Sequence, residues 1–418
     1  MSVTVPEPHG RHVPMRLDVE RWATRRTRRR VLVVVHTVIA GQRLLDAIRL
    51  LEGDIRVQIV FTQAPDVFSN GVSEFLDRLG GLVLPWSQAV QTHFDLALAA
   101  GHGSLHDLMA PVVVLPHGAG HNKITTVAQR GRPVAHRSVY GLSRQRLVRD
   151  GAVVPETIVL AHHEELARLG HECPEALAAA EVVGDPCFDR IAVSLAFRAL
   201  YRQALGVGAR QQLVLACSTW GPDSLLGQGW DTLERLVTEL PRDEFRIAAL
   251  LHPHVWNAHG DLQVRTWLAE LTRSGLILVS PRADWAGAVI AADRIVGDHG
   301  SVSLYGAMTG APVLMAGRSD AGVDPSSPMA ELMSFAPRLH GDRPVCPQLK
   351  RSSATRRSHR YERVAARITS EPGRFARRMR ALLYRKLHLR APAVRTTTEP
   401  ARLPLVVRHD ESGRVAPR

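Results

Sequence analysis

A short run of small and polar residues, Asp298-His299-Gly300-Ser301, stands between an apolar segment and a helical pattern in this chain of 418 residues. The first backbone N–H groups of a helix have no partner within the helix, and the helix dipole adds roughly half a positive charge at that end. Gly300 would let an anion approach the backbone, and Ser301 would add a hydroxyl donor. The run therefore predicts a phosphate-binding turn. The alternative is an ordinary turn capped by Asp298 or Ser301.

A histidine holds a similar position in the first half of the chain. His117 follows the apolar residues 112–115 and is followed by Gly118, Gly120 and Lys123. Open α/β sheets bind ligands beyond the carboxyl ends of their strands, so these residues are expected to line a cleft. An imidazole with an ordinary pKa of about 6.5 is largely neutral in the cell and can accept a proton. His117 is therefore the candidate general base, and a structural role in the glycine-rich turn is the alternative.

Other polar side chains follow apolar segments in the second half. They are Ser218 and Thr219 after residues 213–216, His252 and His254 after residues 247–251, and Asp189 at the crossing between the halves. Imidazoles and hydroxyls at such ends can hold a diphosphate or a ribose, and His252 joins His117 as a catalytic candidate. Hydroxyls at strand-to-helix loops also commonly cap the helix, and Asp189 could cap a helix equally well.

Apolar segments alternate with helical patterns, which indicates parallel sheets covered by helices on both faces. The pattern runs over residues 31–185 and starts afresh over residues 186–345. We therefore expect an α/β chain of the GT-B type, with two Rossmann-like, doubly wound domains facing one another across a cleft. The expected strands are residues 31–35, 57–61, 81–84, 94–99, 112–115, 159–161, 180–183, 213–216, 247–251, 277–279, 294–297 and one led by Pro312, and the expected helices include residues 43–51, 191–205 and 301–310.

Positive charge is concentrated at the two ends of the chain. Residues 1–30 hold eight Arg against three acidic residues, and residues 341–418 hold twenty Lys and Arg against six. With an overall charge of +13, the body between them is left at −6. An acidic body, with only 5% aromatic residues and no nucleic-acid-binding motif, argues against nucleic acid as the partner. Residues 1–30 lack periodicity and are expected to form a flexible basic arm.

The basic C-terminal tail, residues 346–418, is expected to be partly helical. Apolar residues fall on one side of a helix there: Phe375, Met379, Leu382, Leu383 and Leu387. Such a basic amphipathic helix can lie on an anionic membrane surface. Its apolar side can equally pack onto the body of the protein, and the two interpretations are compatible.

No apolar run approaches the ~18–20 residues that a membrane-spanning helix needs, and the N-terminus lacks the apolar core of a signal peptide. We therefore expect a cytoplasmic protein, peripheral on the inner face of the membrane if the tail binds lipid. The four cysteines have no CxxC spacing and are expected to be reduced. The twenty histidines show no HExxH spacing, so neither a metal nor a cofactor is expected.

Five short motifs occur in a fixed order over roughly residues 90–315. They are His117-Gly118, Gly184-x-Pro186-x-x-Asp189, Ser218-Thr219-Trp220, His252-Pro253, and Ala292-Asp293 with Asp298-x-x-Ser301. This set resembles the CDP-glycerol glycerophosphotransferases that build teichoic-acid-type polymers. The resemblance implies a CDP- or UDP-linked donor, a hydroxyl acceptor on a cell-envelope glycopolymer or lipid-linked precursor, and the matching histidine, His117, as the base. It also implies that residues 31–185 form the acceptor domain and residues 186–345 the nucleotide-donor domain.

The chain departs from the family pattern at several positions. Pro116 stands where the family has Trp, Lys123 falls about one place late, Leu250 replaces a Lys, Gly221 replaces an Arg, and His299-Gly300 replaces Tyr-Ser. These changes remove donors and positive charges from the expected phosphate pocket. A donor that carries a glycosyl group or another polyol phosphate, in place of CDP-glycerol, is therefore compatible with the sequence. The alternatives are an enzyme like the non-hydrolysing UDP-sugar 2-epimerases, or a catalytically silent nucleotide-binding relative.

Overall fold

Two parallel β-sheets organise the chain. The computed structural model describes residues 24–129, 132–316, 322–352, 359–393 and 396–407. The flexible arm expected over residues 1–30 lies mostly on residues 1–23, outside the described ones. The chain divides into unit 1, Met1–Pro186 with Thr369–Thr397, and unit 2, Cys187–Ile368 with Thr398–Arg418.

Unit 1 is built on seven parallel strands in the order β11-β10-β5-β4-β1-β2-β3. Its strands are β1 (Arg29–Val35), β2 (Val57–Gln63), β3 (Leu82–Leu84), β4 (Leu96–Ala99), β5 (Val112–Val114), β10 (Thr157–Leu160) and β11 (Ala180–Val182). Two small antiparallel pairs are inserted between β5 and β10. They are β6 (Ile124–Gln129) with β7 (Arg132–Val139), and β8 (Val148–Arg149) with β9 (Ala152–Val153). The strand β1 runs through the centre, where residues 31–35 are fully buried. Burial on both faces explains why β1 reads as a continuous Val and Leu run.

Helices cover both faces of this sheet. They are α1 (Val38–Ile48), α2 (Val72–Leu79), α3 (Trp86–Ala89), α4 (Arg144–Leu147), α5 (Glu164–Glu172) and α17 (Phe375–Lys386), with short 3-10 segments at Arg49–Leu51, Leu105–Asp107 and Pro174–Ala179. The first helix begins at Val38, before the expected residue 43, because the Thr37 side chain accepts a hydrogen bond from Ala40 N–H and caps it there.

Unit 2 is built on five parallel strands in the order β14-β13-β12-β15-β16. The strands are β12 (Gln212–Ser218), β13 (Phe245–Leu251), β14 (Ile277–Leu278), β15 (Arg294–Gly297) and β16 (Val313–Met315). The helices are α6 (Pro186–Ser194), which begins at the boundary between the units, α7 (Arg198–Ala204), α8 (Leu225–Gln228), α9 (Trp230–Thr238), α10 (Pro253–His259), α11 (Asp261–Arg273), α12 (Trp285–Ala291), α13 (Ser301–Gly306), α14 (Pro328–Phe335), α15 (Val345–Ser352) and α16 (His359–Ala366).

The expected fold class is confirmed, since each unit carries a doubly wound parallel sheet with the first strand near its centre. Two helix predictions need correction. The helix expected over residues 191–205 is interrupted by a 3-10 segment, Leu195–Phe197, and the helix expected to reach Gly310 ends at Gly306. The hairpin of β6 and β7 was not expected, because its strands carry little of the apolar character that marks the sheet strands.

The apolar side of the C-terminal tail packs onto the body of the protein. Helix α17 belongs to unit 1, and its buried residues join the core formed by β1 and α1: Phe375, Met379, Leu382, Leu383, Tyr384 and Leu387. Tyr384 also donates a hydrogen bond to the buried carboxylate of Asp54 at 2.8 Å. This apolar side is therefore already covered by protein and is not available to a bilayer.

The last described residues protect an edge of the sheet in unit 2. Val406 forms an antiparallel bridge with Val279, and Ser280 N–H donates to Leu405 O at 2.8 Å. The segment thereby covers the outer edge of β14, which would otherwise offer unpaired backbone groups. None of the helices in the described part of the chain is long and apolar enough to cross a membrane.

Candidate functional site

The ring of His117 lies just beyond β5, at the carboxyl edge of the sheet in unit 1. Its Nδ1 is 3.1 Å from Ala100 O, which follows the neighbouring strand β4. A carbonyl oxygen only accepts, so Nδ1 carries the proton and Nε2 keeps a lone pair. Desolvation by surrounding protein, and then the positive charges of Lys123 and Arg43, lower the pKa of His117. Solvent reaches this exposed ring, so its desolvation is partial, and the pKa of His117 lies below the usual 6.5.

One carboxylate ties the loop that carries His117 to the start of α5. Glu165 is 4% exposed, and its Oε1 accepts from both His121 N–H (3.0 Å) and His121 Nδ1 (2.8 Å). Its Oε2 accepts from Ala161 N–H at 2.7 Å. Gly120 has a φ of +66°, and a Cβ there would lie 2.7 Å from Glu165 Oε1, so only glycine fits this turn. The loop is thereby held in a single conformation.

A buried arginine holds the same loop from α1. Arg43 donates from Nη2 to Gly118 O at 2.9 Å, and its Nη1 lies 3.4 Å from Asp185, with both side chains almost fully buried. Lys123, by contrast, is exposed, and its carbonyl accepts from Tyr140 N–H at 2.8 Å. Of the predicted residues, Gly118 and Gly120 therefore shape the loop, and Lys123 supplies positive charge near His117.

Further rings border this edge of the sheet. His36 follows β1 and His102 follows β4, and the Tyr140 ring stands edge-on to His102 and His117 with centroids 6.4 and 6.3 Å apart. Burial lowers the pKa of His36 and, together with nearby histidines and Arg146, that of His102 to about 3. His36 is buried with its Nε2 2.8 Å from Gly103 O, so of these two neutral imidazoles the partly exposed His102 is the one suited to hydrogen-bond a hydroxyl-bearing group.

Replacing Glu165 with glutamine should alter how stability depends on pH. Burial opposes ionisation of this carboxyl, but the opposing contributions of His121, Arg168 and backbone donors outweigh it and lower the pKa from 4.5 to about 2. Its stabilising contribution is then complete above about pH 4.5 and disappears as the pH falls towards 2. Urea unfolding between pH 7 and 2 should show this acid-dependent part in the wild type and lack it in Glu165→Gln. The exposed neighbour supplies the control, Glu164→Gln, and equal pH dependence in all three proteins would contradict the assignment.

In unit 2 the polar candidates also gather at the carboxyl edge of the sheet. Ser218 ends β12, His252 follows β13 and Asp298 follows β15, which are adjacent strands in register. His252 N–H donates to Ser218 O at 2.9 Å, so these loops are joined through the backbone.

Asp298 organises the loops of this edge. Its carboxylate is 1% exposed and accepts from Thr219 N–H (2.8 Å), Leu225 N–H (2.8 Å) and Gly300 N–H (3.0 Å). A carboxylate saturated by backbone donors is a cross-link between loops rather than a ligand for phosphate. Asp298 is not the N-cap of α13 either, because the N-cap residue is Gly300 and no side chain makes a capping hydrogen bond there.

Two hydroxyls that the sequence placed together have different surroundings. Ser218 Oγ donates to Thr219 O at 2.9 Å and accepts from Leu226 N–H at 3.0 Å. These backbone contacts favour a structural role for this hydroxyl over a role in binding a ligand. Among the described residues, Thr219 Oγ1 has no hydrogen-bond partner. A Cβ on Gly300 would lie 3.1 Å from Thr219 Cβ, so glycine keeps this corner open. Thr219, Gly300 and the partly exposed Ser301 at the start of α13 therefore share one small polar corner, with His299 beside them.

His252 presents an N–H donor. Its Nδ1 accepts a hydrogen bond from His254 N–H at 3.1 Å and caps α10. The neutral ring must then carry its proton on Nε2, which can donate to an anion. His254 packs edge-on against the Trp220 ring, with centroids 4.8 Å apart. The geometry of His252 fits phosphate binding better than proton abstraction.

Two acidic residues of the motifs have buried surroundings. Asp293 pairs with Arg198 at 2.7 Å and with Arg202 at 2.5 Å, and it accepts from Leu213 N–H at 2.8 Å, so it fixes α7 against the sheet. Asp189 is 2% exposed in the first turn of α6. No group of three or more His, Cys, Asp or Glu side chains in the described ranges is arranged to hold a metal ion.

Sequence reasoning missed the residues that hold these loops. Arg43, Glu165 and His121 act through contacts between positions 44 to 142 residues apart. No local spacing reveals such pairs. A partial signal existed for Glu165, because it lies in the first turn of a helix that follows a strand end, where a carboxylate is favoured.

No protein family profile matches the chain, and no curated protein matches it in sequence. Solved structures do match. The wall teichoic acid polymerase TagF aligns with a TM-score of 0.57 at 12% identity, and a TagF variant soaked with CDPG aligns with 0.58 at 12% identity. Both alignments cover 86% of this chain and 89% of TagF.

MnaA of S. aureus, solved with UDP, aligns with a TM-score of 0.51 at 11% identity, covering 87% of this chain and 98% of MnaA. At such low identity these likenesses bear on architecture alone. Together with the two doubly wound sheets, they show that the chain has a GT-B fold.

Proposed function

We propose that the chain is a transferase that moves a glycerophosphate, polyol-phosphate or glycosyl group from a nucleotide-activated donor to a hydroxyl acceptor. The observation that carries the proposal is the geometry of His117, whose Nδ1–H is held by Ala100 O while Nε2 keeps its lone pair. A neutral, oriented imidazole at the carboxyl edge of a Rossmann-like sheet is suited to remove the proton of an attacking hydroxyl. The order of the motifs and the shared fold with TagF support the same reaction class.

In this proposal unit 1 binds the acceptor. The neutral ring of His102 and the Tyr140 hydroxyl would hydrogen-bond a hydroxyl-rich group, and His117 Nε2 would take the proton as the hydroxyl oxygen attacks. Lys123 would add positive charge near the reacting group. We propose that the acceptor is part of a cell-envelope glycopolymer or a lipid-linked precursor, which fits a cytoplasmic enzyme that meets its acceptor at the membrane.

Unit 2 would bind the donor. His252 Nε2–H, Thr219 Oγ1, Ser301 and the first N–H groups of α13 are donors suited to a diphosphate, and they would stabilise the negative charge that grows on the leaving nucleotide. Donation by backbone, hydroxyl and imidazole groups needs no metal ion. CDPG in the TagF structure and UDP in the MnaA structure make cytidine and uridine diphosphates the first donors to test.

Binding of a panel of nucleotides tests this function. CDP-glycerol, other CDP-polyols, UDP-sugars and GDP-sugars should be compared by isothermal titration, and at least one CDP- or UDP-linked compound is expected to bind. Thr219→Val should weaken that binding about fivefold to tenfold, as expected for a lost hydrogen bond. Thr266→Val, on the exposed side of α11, is the control.

Product analysis then separates the candidate reactions. Transfer yields a free nucleotide and a lengthened acceptor, an epimerase returns an isomer of the sugar, and a silent relative binds without turnover. Failure of every nucleotide to bind would refute the proposed function.

A further inference from the structure

A groove lined by arginine side chains runs beside α17 in unit 1. Its volume is about 630 Å³, and Arg374, Arg377 and Arg380 line it. Arg374 is the N-cap residue of α17, and Arg377 and Arg380 follow it at spacings of three, so the three side chains lie on one side of the helix start over about 9 Å at ~1.5 Å per residue. The opposite side of α17 is buried in the core of unit 1. The groove therefore presents a row of guanidinium groups on a helix that is anchored by its apolar side.

Carboxylates pair with other cations of α17. These pairs are Arg378 with Glu371, Lys386 with Glu156, and Arg385 with Glu181. Such pairing is ordinary for a basic helix on a protein surface and needs no ligand. Of the groove residues, Arg377 and Arg380 differ from this pattern, and Arg374 has only the carboxylate that Arg378 also uses.

The three arginines of the groove keep most of their positive charge uncompensated. Within the described ranges, the Arg377 side chain takes part in no hydrogen bond or ion pair. Arg380 donates to Pro392 O at 2.9 Å and lies 4.8 Å from the centre of the Tyr384 ring, and neither contact cancels its charge. Arg374 is 3.2 Å from Glu371, but that carboxylate is shared with Arg378. Among the described residues, the Glu371 carboxylate is thus the one negative charge paired with cations at this end of the helix.

Small residues leave the groove open between the arginines. Gly373, Ala381 and Ala391 line it, and no acidic residue is among the described residues that do. Stacking and the bond to Pro392 hold the Arg380 guanidinium in place before any ligand arrives. A planar guanidinium offers two parallel N–H donors that match the oxygens of a phosphoryl group. A row of about 9 Å is longer than one such group requires.

We propose that this groove binds an oligophosphate anion, a ligand with two or three adjacent phosphoryl groups. The groove is separate from the residues assigned to acceptor and donor, and the proposal does not rest on the transferase function. The phosphoryl groups can belong to a free molecule or to a phosphorylated lipid headgroup. The apolar side of α17 is buried in either case, so recognition is by charge at the surface.

Paired substitutions on the same helix test the proposal. Tripolyphosphate is titrated into the full chain by calorimetry, with the double variant Arg377→Gln and Arg380→Gln compared with the wild type. The control is the double variant Arg385→Gln and Lys386→Gln, which removes the same number of charges from the same helix. The groove variant is expected to bind tripolyphosphate at least about tenfold more weakly, while the control changes little, because charged hydrogen bonds are lost only in the first. Circular dichroism verifies that both variants are folded.

Two outcomes would overturn the proposal. Equal weakening in both variants would show a general effect of net charge, and unchanged binding in both would place the phosphate elsewhere, such as at the donor site of unit 2. Nucleotide binding at unit 2 is expected to survive in the groove variant, so failure of this proposal is distinguishable from failure of the proposed function.

Vesicle sedimentation identifies the source of the ligand once the groove is shown to bind phosphate. Phosphatidylcholine vesicles are compared with and without an anionic phospholipid carrying a phosphomonoester. Loss of vesicle binding in the groove variant supports a lipid headgroup, and retention of the wild-type vesicle behaviour supports a free oligophosphate.

Discussion

Replacing His117 with asparagine is expected to lower the turnover number for transfer by about 10²- to 10⁴-fold, the usual contribution of a general base. The amide nitrogen of asparagine can replace Nδ1 and keep the hydrogen bond to Ala100 O, so the loop should hold its conformation. What is lost is the lone pair at Nε2. The Michaelis constant for the donor should change little, because the groups that would bind the nucleotide belong to unit 2.

The exposed residue His93 supplies the matched control. His93→Asn makes the same chemical change elsewhere in unit 1 and should retain full activity. Full activity in His117→Asn would remove His117 from the mechanism and leave another group at this edge as the base.

The pH dependence of turnover gives an independent check of the same residue. A base must be deprotonated to act, and the pKa of His117 lies below 6.5. Activity should therefore stay constant as the pH falls from 8 to about 6.5 and decline only below that value, between 6.5 and about 4. A decline centred above pH 7 would contradict this environment for the ring.

Asp298→Ala is expected to have the largest effect on stability. The substitution removes the acceptor of the buried N–H groups of Thr219 and Leu225 and of the partly buried N–H of Gly300. At about 1–3 kcal/mol for each of the two fully buried groups, the free energy of unfolding of unit 2 should fall by about 2–6 kcal/mol. Donor binding should weaken as well, because the loops that carry Thr219 and Gly300 lose their connection.

Urea unfolding followed by tryptophan fluorescence can measure this loss in unit 2. Five of the seven tryptophans lie there: Trp220, Trp230, Trp256, Trp267 and Trp285. The control is Asp223→Ala, which removes an exposed carboxylate nearby whose Oδ1 accepts one side-chain hydrogen bond. That variant should change the free energy of unfolding by less than about 0.5 kcal/mol, as is usual at the surface. Equal midpoints for both variants would show that Asp298 does not cross-link the loops.

The course of the buried strands follows from sequence because it depends on local composition. The strand Arg294–Gly297 was expected with these same ends, since burial on both faces demands a continuous apolar run. The roles of polar residues at the strand ends depend on partners far away in sequence. Asp298 and Gly300 do share one turn, but whether a carboxylate faces a ligand or backbone donors is decided by Thr219 and Leu225, more than seventy residues earlier.

The chain's path has a consequence for the order in which the protein can mature on the ribosome. Unit 1 takes α17 into its core, yet α17 is translated after nearly all of unit 2. The apolar surface of α1 and β1 that α17 covers therefore stays partly exposed while almost two hundred intervening residues are synthesised. A ribosome that stalls before residue 375 would therefore release unit 1 without α17, a helix of its hydrophobic core.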